Sequence, residues 1–299
     1  MSKITCIRIL VALLFILSNP IFAQWEQTKG PYGGVVYSLA VSGSNLFAGT
    51  LGGGVFLSTN NGKSWTAVNT GLTNTVVRTL AVSGTNLFAG TDSGGVFLST
   101  NNGKSWTAVN TGLTNTNVRT LTVSGTNLFA GTDSGGVFLS TNNGKSWTAV
   151  NTGLTNTNVR TLTVSGTNLF AGTVVGVFLS TNNGTSWTEV NTGLTNPYVS
   201  SLAVSGTNLF AGTDEGVFLS TNNGTSWTAV NTGLTNTGVE TLAVSGTNLF
   251  AGTYDGVFLS TNNGTSWTEV NTGLTNKDVY SLTVSGTNLF AGTYAGGVF

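Results

Sequence analysis

Histidine is absent from this chain of 299 residues, and cysteine occurs once, at Cys6. Lys3 and Arg8 form a positive start, Ile9 to Leu17 an apolar run, and Ile21-Phe22-Ala23 a small-residue cleavage site. That pattern predicts a secretory signal peptide over residues 1–23, cut after Ala23, with an apolar run too short to span a bilayer. Cys6 precedes the apolar run, so it is badly placed for a lipidated N-terminus. The mature chain then has neither Cys nor His, which excludes disulfides, thiol nucleophiles, Cys/His zinc sites and histidine general bases. Charge is scarce as well, at 7% of residues. Without Lys3 and Arg8, the 10 basic residues fall to 8 against 10 acidic ones, a net charge of −2. No basic stripe exists, so nucleic acid is not an expected partner. No second long apolar run follows, so the expected product is monomeric, carries no membrane span and is secreted, periplasmic or held at the cell surface. No cofactor is expected.

What the chain has in excess is glycine, 42 residues, together with Thr, Ser, Asn and Val, plus 7 Trp and 16 Phe. This composition disfavours helices and is too apolar, at 39%, for disorder. The tryptophans stand at 25, 65, 106, 147, 187, 227 and 267, and Asn-Leu-Phe-Ala-Gly-Thr begins at 45, 86, 127, 168, 208, 248 and 288. A period near 40 residues marks a repeat architecture. Residues 92–132 and 133–173 are identical, so part of the array is a direct duplication. Within the second unit, Val77–Ser83, Asn86–Thr91, Gly95–Thr100 and Ser105–Asn110 read as strands, and Asn102-Gly103 as a tight hairpin turn. Four strands per period form the antiparallel meander of a propeller blade. The expected fold is therefore all-β: a seven-bladed β-propeller of four-stranded antiparallel blades over residues 24–299, with an N-terminal strand, Gln24–Thr28, completing the C-terminal blade. The last repeat reaches Phe299 without its own turn segment, which favours reading the sequence as a fragment of something longer.

The most regular element is Ser-Thr-Asn-Asn-Gly-Lys-Ser-Trp at 58–65, repeated at 99–106 and 140–147, and with Thr for Lys at 180–187, 220–227 and 260–267. This octapeptide resembles the Asp-box, or BNR, repeat, Ser-x-Asp-x-Gly-x-Thr-Trp, of sialidases, sortilin-type receptors, photosystem II assembly factors and secreted bacterial propellers. Asn60, Asn101, Asn142, Asn182, Asn222 and Asn262 replace the box Asp. Gly62, Gly103, Gly144, Gly184, Gly224 and Gly264 follow it, and Trp65, Trp106, Trp147, Trp187, Trp227 and Trp267 close it. Asn still accepts hydrogen bonds from turn amides, so the resemblance implies a structural box. Without carboxylates in the turn, no calcium or other metal site is expected. The sequons at Asn183, Asn223 and Asn263 are read as accidents of the turn, and the tryptophans as core residues between blades with locally paired indole N–H groups.

Because the repeats are near-copies, their differences carry the information. One variable site follows Ala-Gly-Thr and holds Asp92, Asp133, Asp214, Glu215 and Asp255; the other begins the first strand and holds Tyr37, Arg78, Arg119, Arg160, Ser200, Glu240 and Tyr280. Meander topology puts both at one end of the blades, opposite the boxes, with the second set ringing the channel. Three Arg beside Tyr37 and Tyr280 suit a carboxylate, sulfate or sugar acid, although Arg119 and Arg160 are also copies of one duplicated residue. The preferred expectation is a secreted, non-enzymatic binding module for a protein or carbohydrate ligand on this face. Two alternatives are a sialidase-like glycoside hydrolase and a structural array within a larger adhesin-like protein. Sialidases combine an arginine triad with Tyr, Glu and Asp, but the chain has no Arg-Ile-Pro motif, and sialidase arginines do not occupy equivalent positions in near-identical repeats.

Overall fold

A computed structural model describes residues 24–31 and 34–299; the predicted signal peptide, with Cys6, falls outside the described residues. The first repeat folds into β1 (Val36–Ser42), β2 (Asn45–Thr50), β3 (Gly54–Ser58) and β4 (Thr66–Ala67), paired antiparallel in that order. The second gives β5 (Val77–Ser83), β6 (Asn86–Thr91), β7 (Gly95–Ser99) and β8 (Thr107–Ala108), and the pattern continues to β24 (Thr268–Glu269). The second strand of each complete blade is buried at every residue but its first, as a sheet covered on both faces by neighbouring blades requires. Its glycine sets the spacing between blades. A Cβ on Gly90 would stand 2.6 Å from Cγ1 of Val118 in the next blade, so only glycine lets the two sheets close.

The fourth strand is much shorter than the sequence suggests: Thr107–Ala108 instead of Ser105–Asn110. The flanking backbone turns away to neighbouring partners. Trp106 N–H donates to the carbonyl of Thr70 in the preceding blade at 2.8 Å. Asn110 continues the ladder with its side chain, accepting from Val96 N–H at 2.7 Å and donating to Gly94 O at 3.0 Å.

The expectation of seven four-stranded blades is overturned: the propeller has six. The remaining sector holds a two-stranded sheet, β25 (Val279–Ser285) and β26 (Asn288–Thr293). Beyond it lies only a single bridge, Gly292↔Val298. Residues 24–28 form no strand; they touch this sector through Thr28 N–H, which donates to Val298 O at 2.9 Å, and so do not build the expected closing strand. The physical reason is the small number of ladder bonds available. Ala291 exchanges two backbone hydrogen bonds with Phe299 and Thr293 N–H donates to Gly297 O, while residues 24–28 meet this segment through one backbone bond, from Thr28. The sector is nonetheless seated in the ring, with β25 packed between β1 and β21 (Val239–Ser245), and Ser281 Oγ donates to Val36 O at 2.9 Å.

The box is a self-satisfied turn. In the second blade, Asn101 Oδ1 accepts from Ser99 Oγ and Ser105 N–H, both at 2.9 Å, while its amide donates to Ser105 Oγ at 2.9 Å. Ser99 Oγ accepts from Gly103 N–H at 2.8 Å, and Asn102 takes φ 57°, which asparagine tolerates. Trp106 is buried, and its indole N–H donates to Val68 O of the preceding blade at 2.7 Å. Trp147, Trp187, Trp227 and Trp267 repeat the contact on Val109, Val150, Val190 and Val230. Trp65 departs from the series: it is half-buried and donates to Thr28 Oγ1 at 3.1 Å.

Candidate functional site

The channel mouth is built by a defect repeated once per sector. In every first strand the register slips between its first and third residues, as between Val77↔Thr91 and Thr79↔Gly90. The residue inside the slip is Tyr37, Arg78, Arg119, Arg160, Ser200, Glu240 or Tyr280. A bulge leaves its residue out of the ladder and re-aims its side chain. Six of these seven side chains, all but Ser200, line a single cavity of about 160 Å³.

Four of the bulge residues meet the loop residue fourteen positions later in their own sheet. Arg78 pairs with Asp92 at 2.7 Å and Arg119 with Asp133 at 2.8 Å. Glu240 accepts a hydrogen bond from the Tyr254 hydroxyl, and Tyr280 packs against Tyr294 with ring centroids 6.1 Å apart. The fourth repeat breaks the rule, because Val174 occupies the place of Asp92 and Asp133. Arg160 therefore makes no ion pair among the described residues; its guanidinium lies over the Tyr198 ring, 4.4 Å from the centroid, and its buried Nε has no hydrogen-bond partner. Arg78 sits in a similar way over Tyr37, at 4.3 Å, while keeping its carboxylate.

Aromatic groups fill the opposite side of the mouth. Tyr280 meets Tyr37 and Tyr254 edge-on, at 5.8 and 6.4 Å between centroids. Burial first, and then the hydrogen bond to Glu240, push the Tyr254 phenol well above its ordinary value. Burial, followed by the nearby carboxylates Asp278 and Glu240, also raises the Tyr280 phenol. Burial alone raises Asp278, whose Oδ1 is unpartnered. The mouth thus has a cationic side and a phenolic side.

Of the sequence-selected loop residues, Asp92 and Asp133 are consumed by arginine pairs. Asp214, Glu215 and Asp255 are exposed on the rim, and Asp255 lies 3.5 Å from Lys277, which also reaches Glu269 at 3.3 Å. Sequence reasoning missed Tyr254, Tyr294 and Tyr198 as site residues. The first two were accessible from the constant spacing of fourteen between paired variable positions, and Tyr198 from a variable column of its own, which reads Val76, Asn117, Asn158, Tyr198, Gly238 and Asp278. Among the described residues, no group of three or more His, Cys, Asp or Glu is placed to hold a metal ion, and no helix is long and apolar enough to cross a membrane.

Residues 171–292 match the model of the DUF6242 β-propeller domain. No curated protein is similar in sequence at a significant level. Among solved structures, the extracellular domain of the one-component system protein BT4673 from B. thetaiotaomicron superposes with a TM-score of 0.78 at 19% identity. The match covers 93% of this chain and 39% of that one, so the chain spans well under half of that structure. YCF48 from Cyanidioschyzon merolae gives 0.73 at 16% identity over 92% of this chain and 97% of its own, and a YCF48 structure bound to D1 peptide gives 0.75 at 15% over 93% and 96%. An ancestral GH74 enzyme gives 0.70 at 21% identity, covering 90% of this chain and 45% of that one. At these identities the likeness establishes the β-propeller fold.

Proposed function

We propose that the protein is an extracellular binding module whose channel mouth captures an anionic group, a carboxylate or sugar acid, on a protein or glycan. One observation carries this reading: Arg160 stands at the mouth as a guanidinium without a carboxylate, while its duplicated counterpart Arg119 is neutralised by Asp133. A planar fork of donors suits a carboxylate in two-point contact, and Tyr37 and Tyr280 offer flat surfaces across the same cavity. The octapeptide is read as an Asp-box with Asn in place of Asp, carrying structure and not ligand. The extracellular setting draws on the predicted signal peptide and on BT4673, whose solved part is an extracellular domain. YCF48 binds a peptide on a propeller of similar size, which supports a protein ligand.

Screening the purified protein on glycan and acidic-peptide arrays tests this reading. Ligands bearing carboxylates should be retained and Arg160→Ala should lose them, with capture falling at least tenfold. Equal capture by the variant, at unchanged melting temperature, overturns the reading. A second reading is favoured by the Tyr254–Glu240 hydrogen bond, which puts a phenol and a carboxylate in the arrangement a tyrosine nucleophile uses. Against it, two of the three arginines are already paired. Turnover of a fluorogenic sialoside that disappears in Tyr254→Phe would establish a glycosidase instead.

A further inference from the structure

Charges at the channel mouth cancel in two blades and fail to cancel in two others. Arg78 and Arg119, on the second and third blades, are each closed by the aspartate of their own sheet. What remains in the cavity is one cation, Arg160 on the fourth blade, and one anion, Glu240 on the sixth. Neither makes an ion pair among the described residues, with the other or with any neighbour. Each is tethered elsewhere instead. The Arg160 guanidinium rests on the Tyr198 ring, and Glu240 accepts from the Tyr254 hydroxyl. Between the two stands the fifth blade, whose bulge residue, Ser200, does not line the cavity.

A ligand with only a negative charge, seated on Arg160, meets the Glu240 carboxylate in the same small cavity, and a purely cationic ligand at Glu240 meets Arg160. Opposite charges on one ligand answer both groups at once. The aromatic residues favour the same division. A ring face attracts a cation, and Tyr37 already gives its face to Arg78 at 4.3 Å. Tyr280 lines the cavity together with Glu240, and no guanidinium or ammonium of the described residues lies over its ring. We infer that the mouth binds a zwitterion: a carboxylate on Arg160 and, on the same ligand, an ammonium held by Glu240 and Tyr280. The cavity of about 160 Å³ matches the volume of about five waters at ~30 Å³ each, room for a small zwitterion or for the doubly charged end of a larger chain. The inference rests on the carboxylate reading above and adds to it the second charge.

Titrating the purified protein at neutral pH with 4-aminobutyrate, butyrate and butylammonium, followed by NMR chemical shifts, tests the inference. The zwitterion should bind about tenfold more tightly than either singly charged probe, the gain of one part-exposed ion pair plus a cation–π contact. Glu240→Gln keeps an acceptor for the Tyr254 hydroxyl and removes the charge. It should abolish the preference while binding butyrate more tightly, because a repelling carboxylate is gone. Butyrate bound as tightly as the zwitterion, and lost in Arg160→Ala, overturns the inference and leaves carboxylate capture standing. Butylammonium bound as tightly as the zwitterion, with Arg160→Ala without effect, overturns both. A preference that survives Glu240→Gln, or no binding of any probe, also overturns the inference.

Discussion

The two faces of the disc are made from the same repeats yet obey different rules. On the box face, six near-identical turns satisfy their own hydrogen bonds, and five of them hand their tryptophans to the preceding blade. At the channel mouth, seven bulges present aromatic, cationic, hydroxyl and anionic side chains. Sequence is held fixed where a side chain closes the ring and released where a bulge removes it from the ladder. Constancy here therefore marks construction, and variation marks the surface available for recognition.

The largest effect should come from breaking the constant face. Trp106→Ala removes a fully packed indole and leaves Val68 O without its donor, which should cost about 3–5 kcal/mol in urea unfolding. Trp65→Ala, at the half-buried position resting on Thr28, should cost clearly less. Equal losses would mean that the sector holding β25 and β26 is packed as tightly as the others, against the exposure of Leu289 and Trp65.

Much of this face was legible in advance, because periodicity, the Asn-Gly turn and the strand starts are local signals. The first three strands of the second unit were located to within a residue. What could not be read was the number of complete blades, which depends on whether residues 24–28 can form a ladder, a tertiary matter. The bulges were hidden too: the variable position was visible as a column of Tyr, Arg, Ser and Glu, but not the slip that aims it inward. The Arg–Asp pairs lay fourteen residues apart in plain view, and Val174 was the informative exception.

A middle-sized effect should sharpen the variable face without disturbing the fold. Val174→Asp restores to the fourth blade the carboxylate found in the second and third, giving Arg160 the partner that Arg78 and Arg119 already have. An ion pair this close to solvent changes stability by less than about 1 kcal/mol. Capture of a carboxylate ligand should nonetheless fall about tenfold, because the guanidinium is already neutralised. Undiminished capture would show that the open cation is not what the mouth offers a ligand.

The smallest effect joins the two rules at one residue. Asp278 sits beside the mouth, its backbone carbonyl accepting from Tyr294 N–H at 2.9 Å, while its carboxyl oxygen Oδ1 is buried without a partner. Burial raises this carboxyl in the folded state, so the folded protein holds the proton more tightly than the unfolded chain. Stability must then fall as pH rises from the ordinary Asp range through the raised folded value, and the penalty is complete above it. Asp278→Asn removes the charge and with it the penalty. Its melting temperature should exceed that of the parent by roughly 1–3 °C at pH 7, and the difference should vanish near pH 3, where both chains are neutral at this position. A difference that persists unchanged into acid would assign the gain to the amide's hydrogen bonds and not to the buried charge.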